Sequence, residues 1–129
     1  MPANTSPIHV LTPNIGAVSI ATANANLDGT GTIGTLFTAG SNGSRIDYVF
    51  IKARVTTTAG VIRFFLYNGA TYFLLHEELV TAITASGTVA AFEAVWIPPK
   101  PIVLASGWSL RVSTEVAETF NVSAHGGDY

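Results

Sequence analysis

The sequence predicts an all-β domain, built as an antiparallel sandwich or a barrel, and three observations support this. Thr, Val, Ile and aromatic residues dominate the chain, and these residues favour strands. Helical periodicity is nearly absent. Clusters of Gly, Asn, Ser and Pro interrupt the chain about every ten residues, the spacing of turns in all-β folds. At 129 residues, the chain has the length of one compact domain with its own core.

The predicted strands follow one another between these turn clusters. Residues 1–14 contain three prolines, so we expect an extended N-terminal arm with one edge strand at 8–11, followed by a sandwich domain at 15–129. The intervening segments, such as NANLDGTG, AGSNGS and PPKP, have the composition of loops. The strands predicted in the domain are 17–23, 32–38, 45–56, 60–67, 71–82, 91–97, 102–104, 108–116 and 119–124.

The stretch VIRFFLYNGATYFLLHEELV, residues 61–80, is predicted to form a hairpin that is apolar on both faces. Asn68-Gly69 indicates a two-residue type I′ turn, which needs positive φ at both positions; a four-residue loop would sort the side chains in the same way. Because side chains alternate along a strand, two sets follow. The set predicted to enter the core is Ile62, Phe64, Leu66, Phe73, Leu75 and Leu79. The set on the second face is Val61, Arg63, Phe65, Tyr67, Tyr72, Leu74, His76 and Glu78.

The second face has the composition of a protein interface. In the neighbouring stretch RIDYVFIKARV, Tyr48 and Phe50 likewise point away from the core. Aromatic residues mixed with Arg are typical of interface centres, and exposed together they would form a patch that monomers avoid. We therefore expect this surface to pack against another subunit, with a neighbouring loop or the N-terminal arm as the alternative cover. The predicted interface residues are Tyr48, Phe50, Arg63, Phe65, Tyr67, Tyr72, Leu74 and His76.

Charge and hydropathy narrow the classes of partner. The formal net charge is −2 and the six Lys and Arg residues are scattered, so we do not expect nucleic-acid binding. No apolar run approaches the roughly 18 residues that span a bilayer, and MPANTSPIHV lacks the pattern of a signal peptide, so we expect no membrane partner. The hydrophobic fraction of 48% favours self-association, with a well-filled β core as the alternative explanation.

The sequence contains no recognisable catalytic or metal-binding pattern. His9, His76 and His125 are far apart, and HGGDY is interpreted as a glycine turn rather than half of a metal site. NLDGTG lacks the further carboxylates of a calcium loop. Glu77 and Glu78 are adjacent, so they point to opposite faces of a strand. The chain has no Cys and no Gly-x-Ser-x-Gly elbow. We expect no catalytic residue, no metal and no cofactor.

Two tryptophans raise the possibility of sugar binding. Trp96 and Trp108 could form a platform on which sugar rings stack, as in a carbohydrate-binding module. Both lie in alternating strand patterns with apolar neighbours, which favours core packing instead.

Residues 43–129 resemble small virion structural proteins of tailed bacteriophages. The likeness is carried by TTAGVIRFFLYNG in the hairpin, by LASGWSLRVST in a later strand and by FNVSAHGGD near the last residue. These patterns concern fold-determining residues and not an active site. The resemblance implies a jelly-roll β-sandwich that acts as a capsid decoration (cement) protein, often trimeric, and it carries over no catalytic residue.

The resemblance and the apolar second face together predict a function. We expect a non-enzymatic homo-oligomer, a trimer, that binds the major capsid protein on the surface of the virion after synthesis in the host cytoplasm. The alternative is a tail-associated module that binds a receptor or a glycan. An enzyme acting on a sugar or a nucleotide is disfavoured, because His and carboxylate residues do not cluster.

Overall fold

The structure, a computed structural model, describes residues 10–129 and confirms the predicted all-β class. These residues form nine strands and no helix, so no helix in this range could cross a bilayer. Each strand overlaps a predicted one. The strands are β1 (Thr12–Ile20), β2 (Gly34–Thr38), β3 (Ser44–Ala53), β4 (Gly60–Tyr67), β5 (Tyr72–Val80), β6 (Glu93–Trp96), β7 (Ile102–Leu104), β8 (Ser109–Thr114) and β9 (Phe120–Asp128).

The N-terminal predictions fall mainly outside the described residues. This applies to most of the arm predicted at 1–14 and to half of the edge strand predicted at 8–11. Strand β1 begins at Thr12, five residues before the predicted start of the first strand of the domain. It pairs with β9 over its whole length, from Thr12 opposite Asp128 to Ile20 opposite Phe120.

The strands form two antiparallel sheets that pack face to face as a β-sandwich. Sheet A has the order β1-β9-β3-β6, and β7 also pairs with β3. Sheet B has the order β2-β8-β4-β5. Alternate side chains of both sheets fill the core, and each large one stabilises the fold by about 1.5–3 kcal/mol. The largest fully buried core side chains are Phe37, Phe64, Phe120, Ile46, Ile51, Ile62, Leu104, Leu110, Val49, Val112 and Val122.

Strand β9 continues through HGGD to Asp128, so the predicted glycine turn is wrong. Gly126 and Gly127 pair with β1 on one side and with β3 on the other. A Cβ at Gly126 would overlap the carbonyl oxygen of Arg45, so only glycine allows the strands to approach this closely. The glycines therefore mark a tight strand contact and not a change of chain direction.

The hairpin between β4 and β5 has four loop residues and is not a type I′ turn. Among the described residues only glycines have positive φ, so Asn68 does not, whereas Gly69 has φ of 98°. The side-chain oxygen of Asn68 accepts hydrogen bonds from the backbone N–H groups of Ala70 (2.9 Å) and Thr71 (2.7 Å). Asn68 therefore closes the turn through its side chain, as Asn commonly does.

A β-bulge in β5 corrects the predicted faces of this strand. Phe64 lies opposite His76 and Phe65 opposite Leu74, so Leu75 is an extra residue without a partner on β4. An extra residue moves every later side chain to the other face. The faces predicted for β5 are therefore correct between the turn and the bulge, from Tyr72 to Leu74, and wrong from Leu75 onward.

The residues beyond the bulge show the exchange of faces directly. His76 and Glu78 lie opposite Phe64 and Ile62 on the inner side of sheet B, although the sequence placed them outside. Leu79, predicted to enter the core, is 72% exposed. Leu75 is also exposed, and Phe73 remains half exposed on the predicted side because β5 is an edge strand.

Residues 21–33, here called the covering segment, connect β1 to β2 and lie on the outer face of sheet B. The backbone N–H of Asn24 donates to the carbonyl oxygen of Thr114, at the end of β8 (2.8 Å). The buried side-chain amide of Asn24 donates to the carbonyl oxygens of Thr30 (2.9 Å) and Thr32 (3.0 Å). These bonds hold the segment folded against the sheet.

Candidate functional site

The outer face of sheet A carries one row with Arg45 opposite Gly127 and Val103, followed by three further rows of side chains across its strands. Across these three, the composition changes from apolar and aromatic in the first row to polar and charged in the third. Strand pairing defines each row. The first row is Ile15, His125 and Tyr48, the second is Ala17, Ser123, Phe50 and Val95, and the third is Ser19, Asn121, Lys52 and Glu93.

Three rings form an aromatic cluster within the first two rows. Tyr48 and His125 are stacked, with centroids 5.1 Å apart and planes at 17°. Phe50 meets both edge to face, at 5.1 Å from Tyr48 and 5.3 Å from His125. Ser123 Oγ lies 3.0 Å from His125 Nε2. These contacts hold Phe50 upright on the sheet, and its side chain remains 43% exposed.

Large apolar side chains surround this cluster and remain exposed. Val95 lies opposite Phe50 on β6, and Val103 lies opposite Arg45 on β7. Ile15 on β1 and Ile97 directly after β6 are more than half exposed. The face therefore presents a group of exposed apolar side chains of the kind that marks interaction surfaces, with Arg45, paired with Asp47, at one end.

A groove of about 410 Å³ runs along β9 in the middle of this face. The floor is formed by the polar side chains of Asn121 and Ser123 on β9. Phe50 and Lys52 on β3 form the high wall, and β1 contributes only Ala17 and Ser19 on the other side. The groove is open and shallow because the long side chains of Phe50 and Lys52 on β3 lie beside shorter side chains on β9 and β1.

The outer face of sheet B differs, because this chain covers much of it. Arg63 was predicted to contact another subunit, but it is buried under the covering segment and paired within the chain. Its Nε lies 3.0 Å from Glu77 Oε2 and its Nη1 lies 2.5 Å from Glu115 Oε2. Nη1 also donates to the carbonyl oxygen of Asn24 (3.4 Å). Arg63 thus joins three chain segments and is not available to a partner.

Phe65 and its aromatic neighbours form a second cluster on sheet B. Phe65 is fully buried, which corrects the prediction that it contacts a partner. Tyr72 meets Phe65 edge to face at 6.1 Å and stacks on Tyr67 at 4.2 Å. The guanidinium of Arg111 lies 4.4 Å above the Tyr67 ring. Gly29 of the covering segment lies so close to Tyr72 that a Cβ there would overlap it.

The predicted interface residues therefore divide into separate groups. Tyr48 and Phe50 lie on sheet A, and the other six lie on sheet B. On sheet B only Leu74 is exposed, while Tyr67 and Tyr72 are partly buried. His76 points into the sandwich because of the bulge. The alternative cover considered from the sequence, a neighbouring loop, is present over Arg63, where Asn24 accepts a hydrogen bond from the guanidinium.

Both tryptophans pack against the core, as the sequence favoured. Trp96 on β6 packs against both Phe64 (4.9 Å between ring centroids) and His76 (4.2 Å). Trp108 is partly buried, and its ring is parallel to that of Phe73 at 6.2 Å. Neither indole is placed on an open face as a platform for sugar rings.

The described residues contain no group of three or more His, Cys, Asp or Glu side chains that could hold a metal ion. Asp28, in the loop with a weak likeness to a calcium site, accepts hydrogen bonds from the hydroxyl (2.6 Å) and the N–H (3.1 Å) of Thr30. The hydroxyl bond is the main cause of the lowered pKa of Asp28. Asp128 accepts hydrogen bonds from Asn14 and Ser44 instead of facing His125. These carboxylates therefore organise the backbone and neighbouring side chains.

Sequence reasoning missed several residues of the apolar face. His125 was assigned to a turn, and Val95, Ile97 and Val103 were not singled out. The alternation along β6 and β9 carries the missing signal, because these residues occupy the positions between buried neighbours. Their contact with Phe50 and Tyr48 depends on pairing between distant strands, which a local pattern does not contain. No family model, curated protein or solved structure matches this chain.

Proposed function

We propose that this protein is a non-enzymatic virion structural protein, a capsid decoration (cement) protein of a tailed bacteriophage. In this role it binds the assembled shell as a homo-oligomer and stabilises the head. The observation that carries the proposal is the exposed apolar face of sheet A around Phe50, which residues 10–129 leave uncovered. Such a surface suits a protein that functions within an assembly.

Two further observations support this proposal. The first is the resemblance of residues 43–129 to virion proteins. The second is the strand order, since β1-β9-β3-β6 faces β2-β8-β4-β5 and consecutive strands alternate between sheets at both ends of the chain. Two four-stranded sheets linked in this way are the arrangement of a jelly roll, a fold found in viral capsid proteins. We propose that the sandwich is a jelly roll with β7 as an addition.

Assembly on a shell also fits the modest size of the face. Each site on a capsid lattice is repeated many times, so oligomers that bind at several points gain affinity by avidity. The partner in this proposal is the major capsid protein, and the location is the outer capsid surface after synthesis in the host cytoplasm.

Purified virions of the phage that encodes this chain test the proposal. We expect gold-conjugated antibodies raised against this chain to label the phage heads. We also expect the purified chain to bind again to heads from which it has been stripped. A virion that lacks the chain, or heads that do not bind it, would contradict the proposal.

The groove beside Phe50 supports a second candidate, a tail-associated module that binds a receptor or a glycan. Its lining combines an aromatic ring with the amide of Asn121 and hydroxyl groups, a combination able to contact both faces and edges of a sugar. Labelling of tail tips instead of heads, with saturable binding on a glycan array that Phe50→Ala abolishes, would establish this function in place of the first.

A further inference from the structure

Arg111, on the inner strand β8 of sheet B, carries a positive charge that this chain does not balance. All six Lys and Arg residues lie within residues 10–129. Three of the others pair with carboxylates, and Arg54 and Lys100 are exposed to solvent. Arg111 is partly buried, yet no carboxylate of residues 10–129 forms an ion pair with it. A charge that is partly removed from water normally has a partner.

The acidic side chains of this chain are all engaged elsewhere. The eight Asp and Glu residues lie within residues 10–129, and each already contacts a hydrogen-bond donor or a cation of the chain. These residues are Asp28, Asp47, Glu77, Glu78, Glu93, Glu115, Glu118 and Asp128. A carboxylate for Arg111 therefore comes from another molecule, unless one of these contacts breaks.

Three contacts orient the guanidinium of Arg111. Its Nε donates to Ser109 Oγ (2.8 Å), and its Cζ lies 4.4 Å from the ring centroid of Tyr67 and 6.0 Å from that of Tyr72. The rings are themselves held, because Tyr72 stacks on Tyr67 and Gly29 approaches Tyr72 closely. The two Nη groups make no hydrogen bond within residues 10–129 and remain accessible to solvent. An oriented guanidinium fork can bind both oxygens of one carboxylate with little further loss of freedom.

We propose that Arg111 binds a carboxylate side chain of the major capsid protein. This inference rests on the proposed function and adds the chemical group that the shell supplies. The side chains around Arg111 suit a protein partner, because Leu74 is 38% exposed and Tyr67 and Tyr72 are partly buried. Tyr and Arg are the residue types that dominate the energetic centres of interfaces. Arg111 thus adds the charge to a surface whose aromatic residues the sequence had indicated.

The charge of the site favours a carboxylate over a phosphate. One guanidinium balances the single charge of a carboxylate, whereas a phosphate monoester carries about two negative charges at neutral pH. No second unpaired cation lies beside Arg111 in residues 10–129. Arg63, in the next row of the sheet, is already paired with Glu77 and Glu115.

The position of this site gives the protein contacts on both sides of the sandwich. Arg111 lies on the outer face of sheet B, and Phe50 lies on the outer face of sheet A. A protein that contacts the shell through both faces joins two neighbouring shell subunits. Such a link stabilises a head more than attachment to one subunit does.

The first test needs no capsid and uses two small probes with the full chain. N-acetylglutamate α-amide and N-acetylglutamine amide differ only in a carboxylate against a carboxamide. At constant ionic strength, the NMR signal of the Arg111 Nε–H should shift with the glutamate probe and not with the glutamine probe. Arg54 is the internal control, because it is exposed, and its Nε–H should respond at least about tenfold more weakly.

Three results of this titration would overturn the proposal. These are equal shifts with both probes, equal shifts of both arginines, and no shift of Arg111 at all. Tighter binding of inorganic phosphate than of the glutamate probe would assign the site to phosphate and likewise overturn the carboxylate.

The second test measures binding to stripped heads. Arg111→Lys keeps the charge but loses the two-pronged geometry and the flat contact with Tyr67. We expect it to lower the affinity for heads by about 10- to 100-fold. Arg54→Lys is the matched control and should bind as the wild type does. Wild-type affinity in a folded Arg111→Lys variant, as judged by circular dichroism, would overturn the proposal, and the probe titration remains decisive if this variant does not fold.

The carboxylate site and the proposed function can fail independently. A chain whose Arg111 binds the glutamate probe but that binds no head supports the site and overturns the capsid function. A chain that binds heads equally well with Arg111→Lys, and shows no shift specific to the carboxylate, overturns only the site.

Discussion

The imidazole of His76 lies flat against the indole of Trp96, with ring centroids 4.2 Å apart and planes at 6°. His76 belongs to β5 of sheet B and Trp96 to β6 of sheet A, so this contact joins the sheets along one side of the sandwich. Phe64 packs against both rings. The bulge at Leu75 makes the contact possible, because it turns His76 inward.

Removal of the indole should weaken the fold. We expect Trp96→Ala to lower the free energy of unfolding by about 2–3 kcal/mol, since it leaves Phe64 and His76 without their neighbour and opens a cavity. Urea unfolding followed by circular dichroism measures the change. Glu93→Ala on the same strand is the control, because Glu93 is exposed and should contribute less than about 0.5 kcal/mol. Equal losses in both variants would contradict this role for Trp96.

Arg63 should be essential to the covering segment. We expect Arg63→Met to cost about 2 kcal/mol, because Glu77 and Glu115 lose their partner and Asn24 loses a donor. Limited proteolysis should cut residues 21–33 faster in this variant. Arg45→Met is the control: Arg45 pairs at the surface with Asp47, 3.1 Å away but without hydrogen-bond geometry. An unchanged cleavage rate in Arg63→Met would show that the segment does not depend on this arginine.

Two glycines should respond to alanine in opposite ways. Gly126→Ala should cost more than about 3 kcal/mol or prevent folding, because its Cβ would overlap Arg45 and force β3 and β9 apart. Gly87 has open space around its Cβ position, and its φ is not positive. Gly87→Ala should therefore stabilise the protein by up to about 1 kcal/mol through the unfolded chain. Thermal unfolding of both variants measures the difference, and a stable Gly126→Ala would contradict the close strand approach.

The carboxyl group of Asp28 should titrate below its ordinary pKa of 3.8, because the Thr30 hydroxyl donates to the charged form. A lowered pKa in the folded state means that the bond stabilises the loop at neutral pH. That contribution is lost as the pH falls below 3.8 and through the folded-state pKa. Thr30→Val should raise the pKa, as measured by the pH dependence of the Asp28 carboxyl carbon in NMR spectra. Thr32→Val should leave it unchanged, and a similar shift in both variants would contradict this cause.

The predictable part of the fold was the part that depends on local patterns. Alternation and turn composition located every strand in residues 10–129. The bulge at Leu75 was not predictable, because YFLLHEELV contains no glycine or other residue that marks it. One inserted position was enough to exchange His76 with Leu75 and Leu79.

The candidate site was likewise predicted only where it depends on local alternation along a strand. Outward aromatic residues on β3 were recognised, because Tyr48 and Phe50 alternate with buried Val49 and Ile51. Which loop covers Arg63 was not predictable, because the cover depends on bonds from residues 21–33 to strands far away in the chain. Loop composition predicts that a segment is irregular, but it does not predict which surface the segment crosses.

The position of β9 has a consequence for biosynthesis. This strand lies between β1 and β3, yet it follows both of them in the chain, so the ribosome delivers it after all the other strands. Until residue 128 has emerged, β1 has no partner in sheet A, and the nascent chain displays unpaired strand edges. We expect that the sandwich closes only after translation of this strand and that interrupted synthesis yields an aggregation-prone product.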